Sequence, residues 1–274
     1  MVIGRRLSEK LGRLAVNAAA FLAFVMILAP LVLIVWLSFL ANEILSLPAE
    51  GYSLRWYQGL WGQRAFINGF TLSFTVALMA TALGLALTVP ACLALTRLEF
   101  RGREAIVQLL MAPLVVPAIV IGSALYISGV QAEIATGLPV TGSTTAFVLS
   151  HVLLTIPWCM RLITANLAGL DATIEEAALS LGATPLAAVL KVTMPMIWPG
   201  LIAAGLFSFV VSFGNVELSL FLSAPGDTTL PVAILQYLQW KVDPTVAAVS
   251  VVQVVIVGAA LLITNRFVSL SKMV

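Results

Sequence analysis

Long apolar runs separated by short polar joints set the pattern of this chain. Six of them cover residues 14–40, 66–95, 105–130, 144–163, 199–222 and 246–267. A helix needs about 20 predominantly apolar residues to cross a hydrocarbon core of ~30 Å, and each run reaches that length. The pattern therefore predicts an all-α membrane protein with six transmembrane helices. Pro113, Pro117 and Pro157 interrupt the third and fourth runs. Kinks are expected there, because neighbouring helices or water can satisfy the carbonyls that a proline frees.

Composition agrees with the pattern. Hydrophobic residues make up 61% and charged residues 9%, with a mean hydropathy of +1.09. A soluble domain carries about 25% charged residues, so a water-facing coat is excluded. Net charge is +2, which makes no electrostatic case for nucleic acid. The distribution of charge says more. Arg5, Arg6, Lys10, Arg13, Arg97, Arg101, Arg103, Arg161, Lys191, Arg266 and Lys272 fall at the termini and near the even-numbered loops. Arg55, Arg64 and Lys241 alone fall on the opposite side. By the positive-inside rule both termini face the cytoplasm.

The basic N-terminus begins like a signal peptide. Its apolar run, however, continues far beyond the ~7–15 residues of such a segment, so an uncleaved first span is expected. Cys92 and Cys159 lie inside apolar runs and read as small core hydrophobes. Trp56, Tyr57 and Trp61, in the outer segment 41–65, suit either a headgroup-depth helix or an ordinary aromatic belt. With no linker, low-complexity tract or repeat, residues 1–274 form one membrane domain.

The loop at residues 166–198 is the most informative stretch. Thr173 and Glu176 have capping-box spacing, and Glu175 and Glu176 in a first turn suit the helix dipole. Ile174, Ala177, Ala178 and Leu181 recur at i, i+3, i+4 and i+7, one narrow apolar face. Gly182 stands where a positive φ would end the helix. Thr184 and Pro185 would then restart one as N-cap and first residue, and Pro195 and Pro199 would stop it at the membrane. Such an amphipathic helix must lie on the protein's own helices, on headgroups, or in a groove of a soluble partner.

Glu176-Ala177-Ala178, Gly182 and Val192-Thr193-Met194-Pro195 resemble the EAA loop of binding-protein-dependent ABC permeases, E-A-A-x3-G-x9-I-x-L-P. Val192 for Ile and Met194 for Leu are the departures. The stretch from Phe100 to Gly122 is similar to the same family, and the likeness extends over roughly residues 68–267. The resemblance implies a type I ABC importer permease fold, with a five-helix core at 66–267 behind the N-terminal span. It also implies that the loop forms a cytoplasmic coupling helix for a separate ATPase. The coupling residues would be Glu175, Glu176, Ala177, Ala178, Leu181, Gly182 and Pro185. The implied partners are an ABC ATPase dimer, a second and related permease subunit, a periplasmic solute-binding protein and the bilayer of the bacterial inner membrane. No phosphate-binding loop of the form G-x-x-x-x-G-K-[ST] occurs in the chain. ATP and Mg²⁺ are therefore expected on the partner ATPase, with no cofactor, metal or catalytic residue on this chain.

Ionisable groups inside spans are candidates for function. Glu217 and His151 stand out, with Ser212 and Asn215 beside Glu217 and a Gly214-Asn215 step able to open the helix. Glu217 reads equally as pathway-lining or as a structural hydrogen bond, and His151 as a neutral imidazole at the outer end of its helix. The strongest likeness is to permeases of the spermidine/putrescine type, within a polyamine, opine and phosphonate group. Those of polyamines commonly carry an acidic pair where Gly214 and Asn215 stand here. A polyamine-like solute and an amino-acid- or phosphonate-like one both remain open. An ion-coupled secondary transporter would show matching halves with interrupted helices, and a pore-less structural subunit would have no use for Glu217.

Overall fold

A computed structural model describes residues 2–44, 46, 48–224 and 226–267. The described residues are helical, apart from loops and two isolated bridges, Leu40 with Tyr52 and Ala224 with Asp227. Six helical stretches are long and apolar enough to cross a membrane: Gly12–Leu37, Arg64–Arg97, Ala118–Thr136, Thr144–Ala168, Pro185–Phe213 and Pro244–Leu262. The chain divides into two compact units, residues 1–62 with 237–254, and residues 63–236 with 255–274.

In the first unit, α1 (Val2–Leu37) contains the first span and α2 (Arg55–Leu60) is a single short helix. The aromatic segment is tied down rather than afloat. The Trp56 indole donates to the Leu40 carbonyl at 2.6 Å, and the Tyr57 hydroxyl meets Ser38 Oγ at 2.7 Å. Trp61, at 80% exposure, keeps the free character of a belt residue. Later in this unit the buried Asp243 carboxylate accepts from the Tyr237 hydroxyl at 2.9 Å, from Lys241 Nζ at 2.8 Å and from the Thr245 amide at 2.9 Å.

The second unit holds α3 (Arg64–Arg97), α4 (Arg103–Met111), α5 (Ala118–Thr136), α6 (Thr144–Ala168), α7 (Ala172–Ser180), α8 (Pro185–Ala188), α9 (Met194–Phe213) and α10 (Glu217–Leu222). Two later helices, α11 (Leu230–Trp240) and α12 (Pro244–Phe267), run through both units. Around α3, α6 and α9 a core forms from Cys92, Met160, Ile163, Ile197 and Ala204. Both cysteines are buried free thiols, as predicted. Helices in a bilayer gain little from the hydrophobic effect and associate through close packing of small residues. Gly84 and Gly200 show this: a Cβ on Gly84 would strike Thr155, and one on Gly200 would strike the Asn166 carboxamide.

Two spans, the third and the fifth, depart from their predicted limits by more than five residues, and the fifth ends at Phe213, ahead of Glu217. The run 105–130 is not one helix. After α4 comes a 3₁₀ turn at Ala112–Leu114, and the chain is extended at Pro117 before α5 begins. Pro113 and Pro117 lack the amides needed to continue a ladder, so the span shifts to Ala118–Thr136 and takes in Glu133. That carboxylate accepts from the Val140 amide at 2.7 Å and from the Thr141 amide and hydroxyl at 2.6 and 2.8 Å, closing the loop after α5.

In the fifth span, Pro195 and Pro199 do not stop the loop's second helix. Instead α8 passes through a π turn, Val189–Thr193, directly into α9. Pro195 lies in the first turn of α9, where a missing amide costs least. The π turn ahead of it is closed by Met194 N–H to the Val189 carbonyl.

Candidate functional site

The loop helix α7 begins at a cap. Asp171 Oδ1 accepts from the Thr173 amide at 3.0 Å, and this bond is the first reason the Asp171 pKa is lowered. Asp171 thus replaces the predicted Thr173–Glu176 capping box, because the helix starts two residues earlier than the box requires. Gly182 ends the helix at φ +89°, with open space where a side chain would stand. Thr184 Oγ1 then caps α8 by accepting from the Ala187 amide at 3.2 Å, with Pro185 as first residue.

The apolar face predicted for α7 points outward. Ile174 is 43% exposed, Leu181 90% and Leu186 68%, while Glu176, Ala177, Gly182 and Pro185 are exposed and Ala178 is half-buried. Leu179 and Leu186 extend this patch beyond the residues singled out in the sequence. An exposed apolar patch rimmed by polar residues marks an interaction site.

Glu175 breaks from this group. Its Oε2 lies 2.7 Å from Arg97 Nη2 and accepts from Thr193 Oγ1 at 3.1 Å. The carboxylate is turned into the protein, toward the last residue of α3 and the end of the π turn. It is turned away from the outward-facing residues of the loop, with its side chain 20% exposed. The adjacent acids point in different directions because one residue rotates a helix by ~100°.

The helical run predicted over 199–222 is broken, and the break lies just after the fifth spanning stretch. The α9 helix ends at Phe213, and α10 begins at Glu217. Asn215 Oδ1 accepts from the Leu218 amide at 2.9 Å, satisfying a free amide in the first turn of the new helix. Glu217 is exposed, with no hydrogen bond or ion pair to the described residues.

His151 and Ser212 behave otherwise. His151 is 1% exposed, with Nδ1 2.8 Å from Ser212 Oγ and Nε2 3.2 Å from Ser219 Oγ. A neutral imidazole has one donor and one acceptor nitrogen, which two hydroxyls can satisfy together. His151 therefore joins α6 to the helices on both sides of the break. Both it and Ser212 are buried side chains held in this arrangement. Ser219, the third member, carried no signal in the sequence beyond a residue type that bonds readily.

Several comparisons with known proteins bear on this arrangement. The family described as binding-protein-dependent transport system inner membrane component matches residues 83–271. The putrescine transport system permease protein PotI of Escherichia coli (strain K12) is 33% identical over 84% of this chain and 82% of its own length. The spermidine/putrescine transport system permease protein PotC of Haemophilus influenzae is 27% identical over 92% of this chain and 95% of its own. In fold, the chain is similar to a subunit of a bacterial alginate ABC transporter solved with an alginate pentasaccharide-bound periplasmic protein. That likeness has a TM-score of 0.73 at 15% identity, over 95% of this chain and 96% of that one.

Proposed function

This chain belongs to the family of binding-protein-dependent transport system inner membrane components, and we propose that it forms half of a pathway for a small organic cation of the polyamine class. It is a multi-pass membrane protein with the type I importer permease fold, the permease subunit of an ABC importer, and a transport subunit rather than an enzyme. Family membership disfavours both an ion-coupled secondary transporter and a pore-less structural subunit.

Glu217 carries the choice of solute. It is an exposed, unpaired carboxylate at the helix break that directly follows the fifth spanning stretch, placed where a carboxylate can meet water or a cation. PotI and PotC, named for putrescine and spermidine/putrescine, are similar to this chain over most of its length, which supports the same class. Asn215 and the Gly214 backbone would complete the polar lining. A second reading, a zwitterionic or anionic solute, draws on the absence of the acidic pair from Gly214 and Asn215.

The face of Glu176, Ala177, Ala178, Leu181, Gly182 and Pro185 is the docking surface for a separate ATPase, on the cytoplasmic side together with both termini. In this scheme ATP and Mg²⁺ bind to an ATPase dimer and a periplasmic binding protein delivers the solute. A second, related permease supplies the other half of the pathway. ATP-driven closure of the ATPase pair moves α7, opens the pathway outward, and hydrolysis resets it.

Native purification of a tagged copy in mild detergent, with mass spectrometry of its companions, tests this scheme. Recovery of an ATPase and a second permease is expected. A binding protein from the same preparation should release putrescine or a homologous polyamine on denaturation. Release of an acidic solute would overturn the polyamine assignment. Recovery of the chain alone would overturn the docking scheme.

A further inference from the structure

We propose that Glu175 is a transmission pin that locks the loop helix to two spanning helices, so that displacement of α7 becomes displacement of α3. The proposal rests on the docking reading of α7 and assigns to Glu175 a positioning role apart from the docking face.

Three features meet at this carboxylate. Its Oε2 contacts Arg97 Nη2 at 2.7 Å, and Arg97 is the terminal residue of α3, a helix of 34 residues. The same oxygen accepts from Thr193 Oγ1 at 3.1 Å, and Thr193 is 1% exposed at the end of the π turn that leads into α9. The neighbouring Glu176 faces outward. One acid is thus free for a partner while its neighbour is engaged inward.

α7 follows α6 after three residues and packs against the π turn, but its link onward to α8 is compliant. The Gly182 turn joins α7 to α8 through a residue at φ +89° with no atom near its Cβ position, a compliant joint on which a push would be dissipated. The Arg97 and Glu175 side chains are 30% and 20% exposed. Ion pairs at such exposure add little to folding stability, so a stabilising role does not explain the arrangement. They do fix register: a guanidinium and a hydroxyl converging on one carboxylate oxygen hold α7, α3 and the π turn in a single geometry. Single π turns inside helices occur often at functional sites. Lateral bracing by Glu175 makes this π turn follow α7.

Double electron–electron resonance tests the proposal without knowledge of the solute. Spin labels replace Leu98, just beyond α3, and Thr173, in the first turn of α7, both exposed. The transporter, purified with its companion ATPase in nanodiscs, is compared without nucleotide and after trapping with ATP and vanadate. In the otherwise unaltered protein the Leu98–Thr173 distance should stay constant, since both ends move as one body. In Glu175→Gln it should shift by about 2 Å or more on trapping, the scale of helix shifts at switching interfaces. The exchanged pair Glu175→Arg with Arg97→Glu should restore the constant distance, which a purely steric role would not.

A constant distance in Glu175→Gln, or failure of the exchange to restore it, would overturn the pin. Loss of ATPase association in Glu175→Gln would also overturn it, because Glu175 would then belong to the docking surface. Failure of the docking reading has its own signature: Glu176→Lys would retain the ATPase and hydrolyse ATP at the unaltered rate.

Discussion

The loop helix and the break after span five are both polar interruptions of an apolar chain, but they solve opposite problems. On the loop formed by α7 and α8 the apolar residues Ile174, Leu181 and Leu186 stand exposed and the acid Glu175 is drawn inward. At the break, polar His151, Ser212 and Ser219 are buried against one another and the acid Glu217 is left outside. The first region leaves apolar surface for a partner to cover. The second completes its own hydrogen bonds and holds the helix ends still. Outside the spanning helices, exposed apolar groups and an unpaired acid thus mark where the protein meets something else, and buried polar groups mark what must not move.

The largest test of that contrast is on the docking face. Gly182→Asp and Glu176→Lys should each cut uptake by about a hundredfold, the scale of an interface hot spot, while the chain still inserts into the membrane. Uptake in right-side-out vesicles with immunodetection of the inserted chain measures both. Normal uptake in both variants would remove the distinction between the regions.

Next is the exposed acid of the break. Glu217→Gln should lower polyamine uptake about tenfold, as loss of one charge contact to a cation, with assembly unaffected. Equal uptake in the variant would make Glu217 a bystander.

His151→Ala should act on stability rather than transport specificity. It leaves two buried serine hydroxyls without their shared partner, at a cost of about 1–2 kcal/mol, since intramembrane hydrogen bonds are worth little more than soluble ones. A lowered thermal midpoint of the detergent-solubilised protein with an unchanged ATP-to-solute ratio is the expected result. A changed ratio would move His151 back toward the pathway.

The smallest effect concerns the cap of α7. Asp171 has a lowered pKa because its carboxylate accepts from the Thr173 amide. Its contribution is therefore complete above the unfolded value of about 3.9 and is lost as pH falls through the lowered folded value. Hydrogen exchange at Thr173 should speed up relative to the rest of α7 only in acid, and at every pH in Asp171→Ala.

Much of the fold was legible along the chain. A span needs only length and apolar content, and a Gly182 turn or a Thr184-Pro185 start needs only local stereochemistry, so both could be recognised from neighbours in sequence. The third and fifth spans were misjudged at Pro113, Pro117 and Pro195, where the same residue type breaks one helix and enters the first turn of another. Which outcome occurs depends on packing around the turn, and that is not a local property.

Sequence by itself determined that this chain crosses a membrane six times, that its loop carries an amphipathic helix, and that the apolar run 199–222 breaks at Gly214-Asn215. The periodicity and backbone preferences behind these features act over a few residues. Tertiary structure alone decided which acid is free. Glu175 meets Arg97 across 78 positions of chain and His151 meets Ser212 across 61, because α3, α6 and α9 pack together. Charge pairing and burial depend on that packing, and neighbouring acids such as Glu175 and Glu176 are indistinguishable until the helix they share has a fixed rotation.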